Sequence, residues 1–426
     1  MTEPLDKYTM PSALGSIATR RFHVMAKPAG SACNLDCTYC YYLSKRELPG
    51  GPGAGHMSDE LLERYISNYI ASVTADEVVF SWQGGEPTLM GLPFFEKIVA
   101  LQRKYAKAGQ RIENDLQTNG TLLDEDWARF LKQHRFLVGL SIDGPKEVHD
   151  HFRLDKHGEP TFDKVVAAAE MLRRHKVPFN TLSCVHRYSA SRPLDVYRFL
   201  RREIGSTYLQ FIPIVEFRGF EVTAPGRLDT QRLPVVGSPQ SHPGHADSIV
   251  TDWSVDPDEY GYFLCKVWDE WHNRDLGKVM VNFCETLVAQ HVGQPSQICV
   301  YSEVCGKGMA IEHDGSVYAC DHYVYPEYRL GNVRTRDLAS MAFDPEQVRF
   351  GYAKSETLPG YCRKCAYLTD CWGECPKNRV LRTPDGEVGL NYLCPGLKRF
   401  FAHAVPQAER IAARLRAQPS TPVPRM

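Results

Sequence analysis

The feature that most limits what this chain can fold into is its cysteine pattern. Eleven of the 14 cysteines stand in spaced groups: Cys33-x3-Cys37-x2-Cys40, Cys299-x5-Cys305-x14-Cys320, and Cys362-x2-Cys365-x5-Cys371-x3-Cys375 followed by Cys394. The first 21 residues lack the apolar core of a signal peptide and no apolar run approaches the roughly 20 residues that span a bilayer, so a cytoplasmic chain is expected. In that reducing compartment disulfides do not explain such spacing, whereas metal or redox chemistry does. Three thiolates directly after the first expected strand suit three irons of a [4Fe–4S] cube, whose fourth iron then stays open to a ligand. A zinc site short of one ligand, or three unrelated thiols, is the alternative. The eight C-terminal cysteines suffice for two four-thiolate sites, of iron or of zinc, and spacing alone would equally join Cys362, Cys365, Cys371 and Cys375 in one zinc knuckle. Cys184, Cys265 and Cys284 have no partner spacing and read as small buried hydrophobes.

With 43% hydrophobic and 24% charged residues among 426 and a formal net charge of −1, the chain can bury a sizeable core. Near-neutrality argues against broad electrostatic attraction to nucleic acid. Residues 1–21 form an N-terminal extension. From 22 to 216, short β-rich segments alternate with helical patterns, the signature of βα units around a parallel sheet. Strands are expected in FHVMAKP, EVVFSWQ, IENDLQT, FLVGLSI, VPFNTLSCV and YLQFIPIV, and helices around 59–73, 93–107, 124–134, 162–175 and 191–203. Six strands make an incomplete barrel of the α/β class, which places chemistry on the loops after strand ends, here QGGEP, QTNG and SIDG. Residues 217–256, rich in Gly, Pro, Ser and Asp, read as a surface insertion. Asp256-Pro257 predicts a capped helix running to about Arg274, within a linker region 257–298. Residues 299–400 are dense in cysteine and poor in apolar periodicity, which predicts a domain held by metal more than by a core. The remainder, 401–426, is expected to be a helix ending in a disordered tail, AQPSTPVPRM.

Several residues sit where the barrel rule expects function. Gly85 of GGEP has no Cβ and can bring its backbone against a ligand. Ser141 and Asp143 end the fourth strand, Arg153 follows, and Val215 ends the sixth. The segment KPAGSACNLDCTYCYY, followed by Gly84-Gly85-Glu86-Pro87 at the end of the second strand, resembles the signature of the radical S-adenosylmethionine (SAM) superfamily. That resemblance implies SAM at the open iron. It puts Tyr39 near the adenine, Gly85 and Glu86 in the motif that receives the methionine amino group, Ser141 and Arg153 at the ribose and carboxylate, and Val215 at the adenine. The C-terminal spacing resembles the SPASM domain of peptide-modifying members, which implies one cluster on Cys299, Cys305, Cys320 and Cys375 and another on Cys362, Cys365, Cys371 and Cys394. The implied whole is a partial (β/α)6 TIM-type barrel with a C-terminal Cys-rich SPASM domain, three [4Fe–4S] clusters and SAM.

Further segments, WQGGEPTL, LQTNGTLLDEDWA, LVGLSIDGPKEVHD, TFDKV, LQFIPIVE, DGSVYACDHYV, RLGNV and LNYLC, are similar to those of anaerobic sulfatase-maturating enzymes. Two places depart from that pattern: Trp372-Gly373-Glu374, where glycines are commoner, and Asn282-Phe283-Cys284-Glu285, where an aromatic-Asp pair is commoner. The likeness implies oxidation of a sulfatase Cys or Ser to Cα-formylglycine after a 5′-deoxyadenosyl radical removes a Cβ hydrogen. The implied partners are an unfolded or nascent sulfatase polypeptide and a one-electron reductant such as flavodoxin or ferredoxin, with no nucleic acid and no membrane. A base must take the substrate hydroxyl or thiol proton. Asp321, directly after Cys320, is the candidate, with His322 second. A related SPASM maturase that crosslinks or oxidises a ribosomal peptide is the alternative, and a non-catalytic zinc-stabilised peptide-binding protein is a third reading.

Overall fold

The computed structural model describes residues 21–417, so the N-terminal extension up to residue 20 and the expected tail from residue 418 lie outside the described residues. In chain order the strands are β1 (His23–Lys27), β2 (Glu77–Trp82), β3 (Arg111–Thr118), β4 (Leu137–Ser141), β5 (Phe179–Val185) and β6 (Tyr208–Pro213). Six more follow: β7 (Met280–Val281), β8 (Gly308–Glu312), β9 (Ser316–Tyr318), β10 (Arg329–Asn332), β11 (Leu381–Arg382) and β12 (Val388–Leu390). The main helices are α1 (Asp59–Ser72), α2 (Leu92–Tyr105), α3 (Glu125–Gln133), α4 (Phe162–Arg174), α5 (Pro193–Arg202), α6 (Pro257–Glu270), α7 (Asn282–His291), α8 (Pro345–Glu356) and α9 (Cys394–Ala417). The alternation of β1–β6 with helices is that of a partial α/β barrel, with each expected strand within a few residues of its place.

The chain divides into two compact units that interleave along it. One takes the chain up to Ser183, Glu216–Asp229 and Val304–Glu356; the other takes Cys184–Val215, Thr230–Glu303 and everything from Thr357 on. In the first unit β1 to β5 run parallel in sequence order, and β8 adds to the other side of β1 in parallel register, His23 opposite Gly308 and Lys27 opposite Glu312. Strands β9 and β10 continue from β8 antiparallel. Part of the region expected to lean on metal is therefore ordinary sheet, with Met309, Ile311 and Val317 buried in the same core as Val24, Phe80 and Trp82. Apolar residues of β8 alternate too briefly for the strand to stand out by pattern, and its partner is nearly three hundred residues away.

Helix starts follow from local chemistry. The Ser58 hydroxyl accepts from Leu61 N–H, and the Asp124 carboxylate from Trp127 N–H. Asp256 accepts from Asp258 and Glu259 N–H with Pro257 at the first helical position, as its sequence predicts. The helix after it gives way to a π turn at Trp271–Asp275. In the second unit β6 and β7 pair in parallel, and Phe211, Phe263, Phe283, Phe400, Trp268 and Trp271 make the core. There α6 and α9 cross so closely that a Cβ on Gly261 would lie 2.6 Å from the Gly396 Cα. The expected surface insertion is only partly superficial, since Phe217, Phe220 and Ala224 are buried in the first unit and Leu233 and Val250 in the second. The C-terminal helix begins at Cys394, ahead of the expected boundary at 401, because Leu397 and Phe400 already belong to its buried stripe.

Candidate active site

Cys33, Cys37 and Cys40 lie on an irregular loop after β1, and the GGEP turn after β2 is fastened to it. Gly85 N–H donates to the Gly30 carbonyl (2.8 Å) and Glu86 N–H to the Ala32 carbonyl (2.8 Å). The approach requires glycine, because a Cβ at residue 85 would lie 2.0 Å from the Ala32 oxygen. The Glu86 carboxylate is buried. It accepts from Thr88 N–H and hydroxyl, the Thr118 hydroxyl at 2.8 Å and Asn119 N–H at 2.7 Å, all groups of the protein itself. Burial raises its proton affinity and those hydrogen bonds oppose the rise. Asn119 of QTNG also reaches the loop, its amide 3.8 Å from the Cys33 sulfur.

The three thiols are brought together and kept from ionising by burial. Cys33 is pushed up to about 11 by desolvation, and Cys37 and Cys40 are also raised, each of the first two further by its neighbouring thiols. Three buried, mutually repelling thiolates need compensating cationic charge, which is what an iron–sulfur cluster supplies. The donor set therefore fits the cluster.

Asp143, fully buried after β4, joins this loop to Arg153. Its carboxylate accepts from the Tyr39 hydroxyl (2.5 Å) and from Arg153 Nε (2.9 Å) and Nη2 (3.1 Å). Tyr39 lies between two of the cysteines, so the hub fixes a ring and a guanidinium at once. Arg153 is held from behind as well: the Thr161 hydroxyl donates to its carbonyl at 2.6 Å, and buried His149 meets that hydroxyl at 3.1 Å. Burial, then the Arg153 charge, pushes His149 down to about 3 and keeps it neutral. Ser141, half-buried at the end of β4, accepts from the Gln117 amide at 2.9 Å.

Asp321 follows Cys320 on a short turn of the same unit. Lys27, the last residue of β1, pairs with its carboxylate, and the Tyr41 hydroxyl donates to it. Burial alone would raise its pKa, but the Lys27 ammonium, then His322, then hydrogen bonds from Lys27 and Tyr41 outweigh burial and hold Asp321 at about 2. His322 packs its ring 5.1 Å from that of Tyr41. Lys27 also lies 4.1 Å over the Tyr42 ring, and the Tyr42 hydroxyl donates to buried Glu312. Sequence reasoning passed over Lys27, Tyr41, Tyr42 and Glu312. The available signal was a lysine in an otherwise apolar strand and the tyrosine pair after Cys40.

The remaining cysteines fall within the separate units. In the second, Cys362, Cys365, Cys371 and Cys394 line one cavity, walled by Tyr361, Leu368, Leu397, Lys398 and Phe401. Cys362, Cys371 and Cys394 are each raised by burial and further by neighbouring thiols, Cys394 up to about 12. The four thiols thus call for the same cationic compensation as the N-terminal three. Cys375 faces Cys299 instead. Val215, buried in the same unit, gives its carbonyl to Lys377, two residues past Cys375, at 3.0 Å. In the first unit Gln347 ties the loops carrying Cys305 and Cys320 together, its amide donating to the Gly306 and Ala319 carbonyls at 2.7 and 3.0 Å. Among the described residues no three His, Cys, Asp or Glu side chains converge on a single-ion site. Cys284 and Cys265 are buried in the core, whereas Cys184 is half-buried.

Comparison with known proteins matches residues 28–200 to the Radical SAM superfamily and residues 299–366 to SPASM, an iron-sulfur cluster-binding domain. The serine-type anaerobic sulfatase-maturating enzyme of Bacteroides thetaiotaomicron is 41% identical over 396 residues, 93% of this chain and 92% of that protein. The cysteine-type enzyme of Clostridium perfringens is 34% identical over 398 residues, 92% of this chain and 99% of that protein. A solved structure, native anSMEcpe with bound AdoMet and Cp18Cys peptide, matches with a TM-score of 0.78 at 34% identity, covering 93% of this chain and all of that one.

Proposed function

This chain belongs to the anaerobic sulfatase-maturating enzymes of the radical SAM superfamily, and from that premise we propose the part each site residue plays. The enzyme is an oxidoreductase that converts a cysteine or serine of a sulfatase to Cα-formylglycine with iron–sulfur clusters and SAM. Bound together, the open-iron cluster and SAM supply a radical that removes a Cβ hydrogen. Everything else falls to the chain. Cys33, Cys37 and Cys40 hold the cluster, and the Gly85 and Glu86 backbone receives the methionine end of SAM. Ser141 and Arg153 take its ribose and carboxylate, with Tyr39 and Val215 at the adenine. Arg153 has two of its nitrogens, Nε and Nη2, on Asp143, which fixes the plane of the guanidinium.

Asp321 takes the substrate proton. The observation that carries this role is its pairing with Lys27 and Tyr41, which keeps the carboxylate ionised beside the cysteine loop. A weakly basic carboxylate suits a substrate whose O–H or S–H becomes acidic only once the Cβ hydrogen has gone. Deprotonation then follows abstraction instead of preceding it. Cys299, Cys305, Cys320 and Cys375 hold one auxiliary cluster and Cys362, Cys365, Cys371 and Cys394 the other, giving the second electron somewhere to go. The reductant belongs to the flavodoxin or ferredoxin class, and a serine target is accepted, in line with the higher identity to a serine-type relative.

The test is Asp321→Asn, which keeps shape and leaves Cys320 in place. Formylglycine formation should fall about 10²–10⁴-fold, the usual contribution of a general base, while release of 5′-deoxyadenosine falls much less. Mass spectrometry of both products, made anaerobically from serine and cysteine versions of a sulfatase peptide, reads the ratio. A mutant with wild-type rate and a ratio near one removes Asp321 from the mechanism; a serine peptide left unmodified removes the serine reading.

A further inference from the structure

Between Cys371 and Cys375 the chain departs from the glycine-rich sequence commoner in this family, and the backbone explains why glycine is common there. Trp372, Gly373 and Glu374 are all left-handed, with φ of 48°, 67° and 49°. Two of the three have side chains that disfavour that conformation. Glu374 is nevertheless 4% exposed. Its carboxylate accepts from the Asn391 amide at 2.7 Å and the Asn378 amide at 3.0 Å, and no basic side chain of the described residues pairs with it. The Asn391 amide also lies within reach of the Gly373 and Cys375 carbonyls, at 3.2 and 3.1 Å, which pins the turn. The Glu374 backbone N–H donates to the Cys371 carbonyl at 2.9 Å. A carboxylate buried without a cation is costly, and here it sits between two thiols.

We propose that Glu374 is a positioning residue for the second electron: its buried negative charge, seated between Cys371 and Cys375, makes the auxiliary clusters held by those two thiolates harder to reduce. This rests on the reading of both cysteines as cluster ligands, one for each auxiliary cluster. Reduction adds one electron and hence one negative charge to a cluster, and a nearby anion in a low-dielectric surrounding opposes that addition. The carboxylate therefore shifts the balance against retaining the electron, which favours passing it on.

The experiment is an anaerobic redox titration of the reconstituted holoenzyme followed by electron paramagnetic resonance, with dithionite as the reductant. Glu374→Gln removes the charge at nearly constant volume, and Glu374→Asp keeps the charge with a shorter arm. In Glu374→Gln the reduced-to-oxidised ratio of at least one auxiliary cluster should rise about tenfold at a given potential, which for one electron is a midpoint shift of about 59 mV. Glu374→Asp should stay closer to wild type than Glu374→Gln does. A role in folding alone would lower thermal stability without moving the potential. Unchanged midpoints in Glu374→Gln with full iron content, or equal shifts in both variants, overturn the proposal. Iron analysis of Cys371→Ala and Cys375→Ala separates the underlying reading: full iron in either overturns the ligand assignment, whereas loss of iron there with an unmoved Glu374→Gln potential overturns only the role of Glu374.

Discussion

The two thiol groups that lie whole within one unit are built in opposite ways. Around Cys33, Cys37 and Cys40 the protein supplies its own scaffold: strands β1, β2 and β4, a glycine-tight turn at Gly85, and a buried hub in which Asp143 holds Tyr39 and Arg153. Around Cys362, Cys365, Cys371 and Cys394 the regular structure is short. Gly360–Arg363 and Leu368–Cys371 are single helical turns, a left-handed run follows, and only α9 is long. The first site can keep its shape without metal because its hydrogen bonds close on protein groups. The second has fewer such ties, among them Lys398 to the Tyr361 hydroxyl at 2.7 Å and Asn391 to Glu374 at 2.7 Å, and on the proposed ligand assignment the cluster would add the rest. Preorganisation serves chemistry on a substrate; metal-dependent closure serves a site that only has to hold a redox group.

The largest expected effect tests the independence of the first site. Replacing Cys33, Cys37 and Cys40 together by Ala should abolish SAM cleavage yet leave about two-thirds of the iron, since two of three four-iron sites remain. The fold should survive, because the surrounding core and the Asp143 hub do not need the thiols. Iron analysis, 5′-deoxyadenosine release and circular dichroism check this together. Near-total iron loss would mean that the sites are not separable, and persistent cleavage would mean that these are not the ligands.

A smaller effect on chemistry and a larger one on folding is expected at the second site. Cys362→Ala should reduce the soluble yield and the thermal midpoint well below those of the triple variant, because a lost ligand there leaves single helical turns and a left-handed run with only their hydrogen bonds to join them. A soluble Cys362→Ala protein with full iron and normal turnover would erase the contrast between the two regions.

How much of this was legible in the sequence follows the same division. The βα alternation, the Asp256 cap and the cysteine triplet are local signals, and each corresponds to a described element. The grouping of Cys394 with Cys362, Cys365 and Cys371 could not come from spacing, which favours Cys375 as readily; it depends on α9 returning to the cavity. Strand β8 was hidden for a related reason. Its five residues acquire meaning only opposite β1, where Lys27 and Glu312 come into register. Lys27 as the partner of Asp321 and Asp143 as the hub are equally products of tertiary pairing, invisible to any window along the chain.

The smallest expected effect sharpens the comparison at the turn where the second region departs from its relatives. A non-glycine residue in the left-handed region costs roughly 1–2 kcal/mol, whereas glycine elsewhere costs about 0.5–1 kcal/mol in lost chain freedom. At Trp372 the two nearly cancel, and the half-buried ring offers some contact to lose, so Trp372→Gly should stay within about 1 kcal/mol of wild type. Glu374→Gly relieves the same strain but leaves the Asn378 amide buried without its acceptor and takes from the Asn391 amide the shortest of its three bonds, a loss of roughly 1–3 kcal/mol. The two substitutions are two residues apart and alike in backbone, so their difference isolates the carboxylate. Thermal unfolding of the iron-loaded proteins, scanned at one rate, should place Glu374→Gly clearly below Trp372→Gly. Equal midpoints would mean that the asparagines do not depend on Glu374, and that the turn is held by the bound cluster alone.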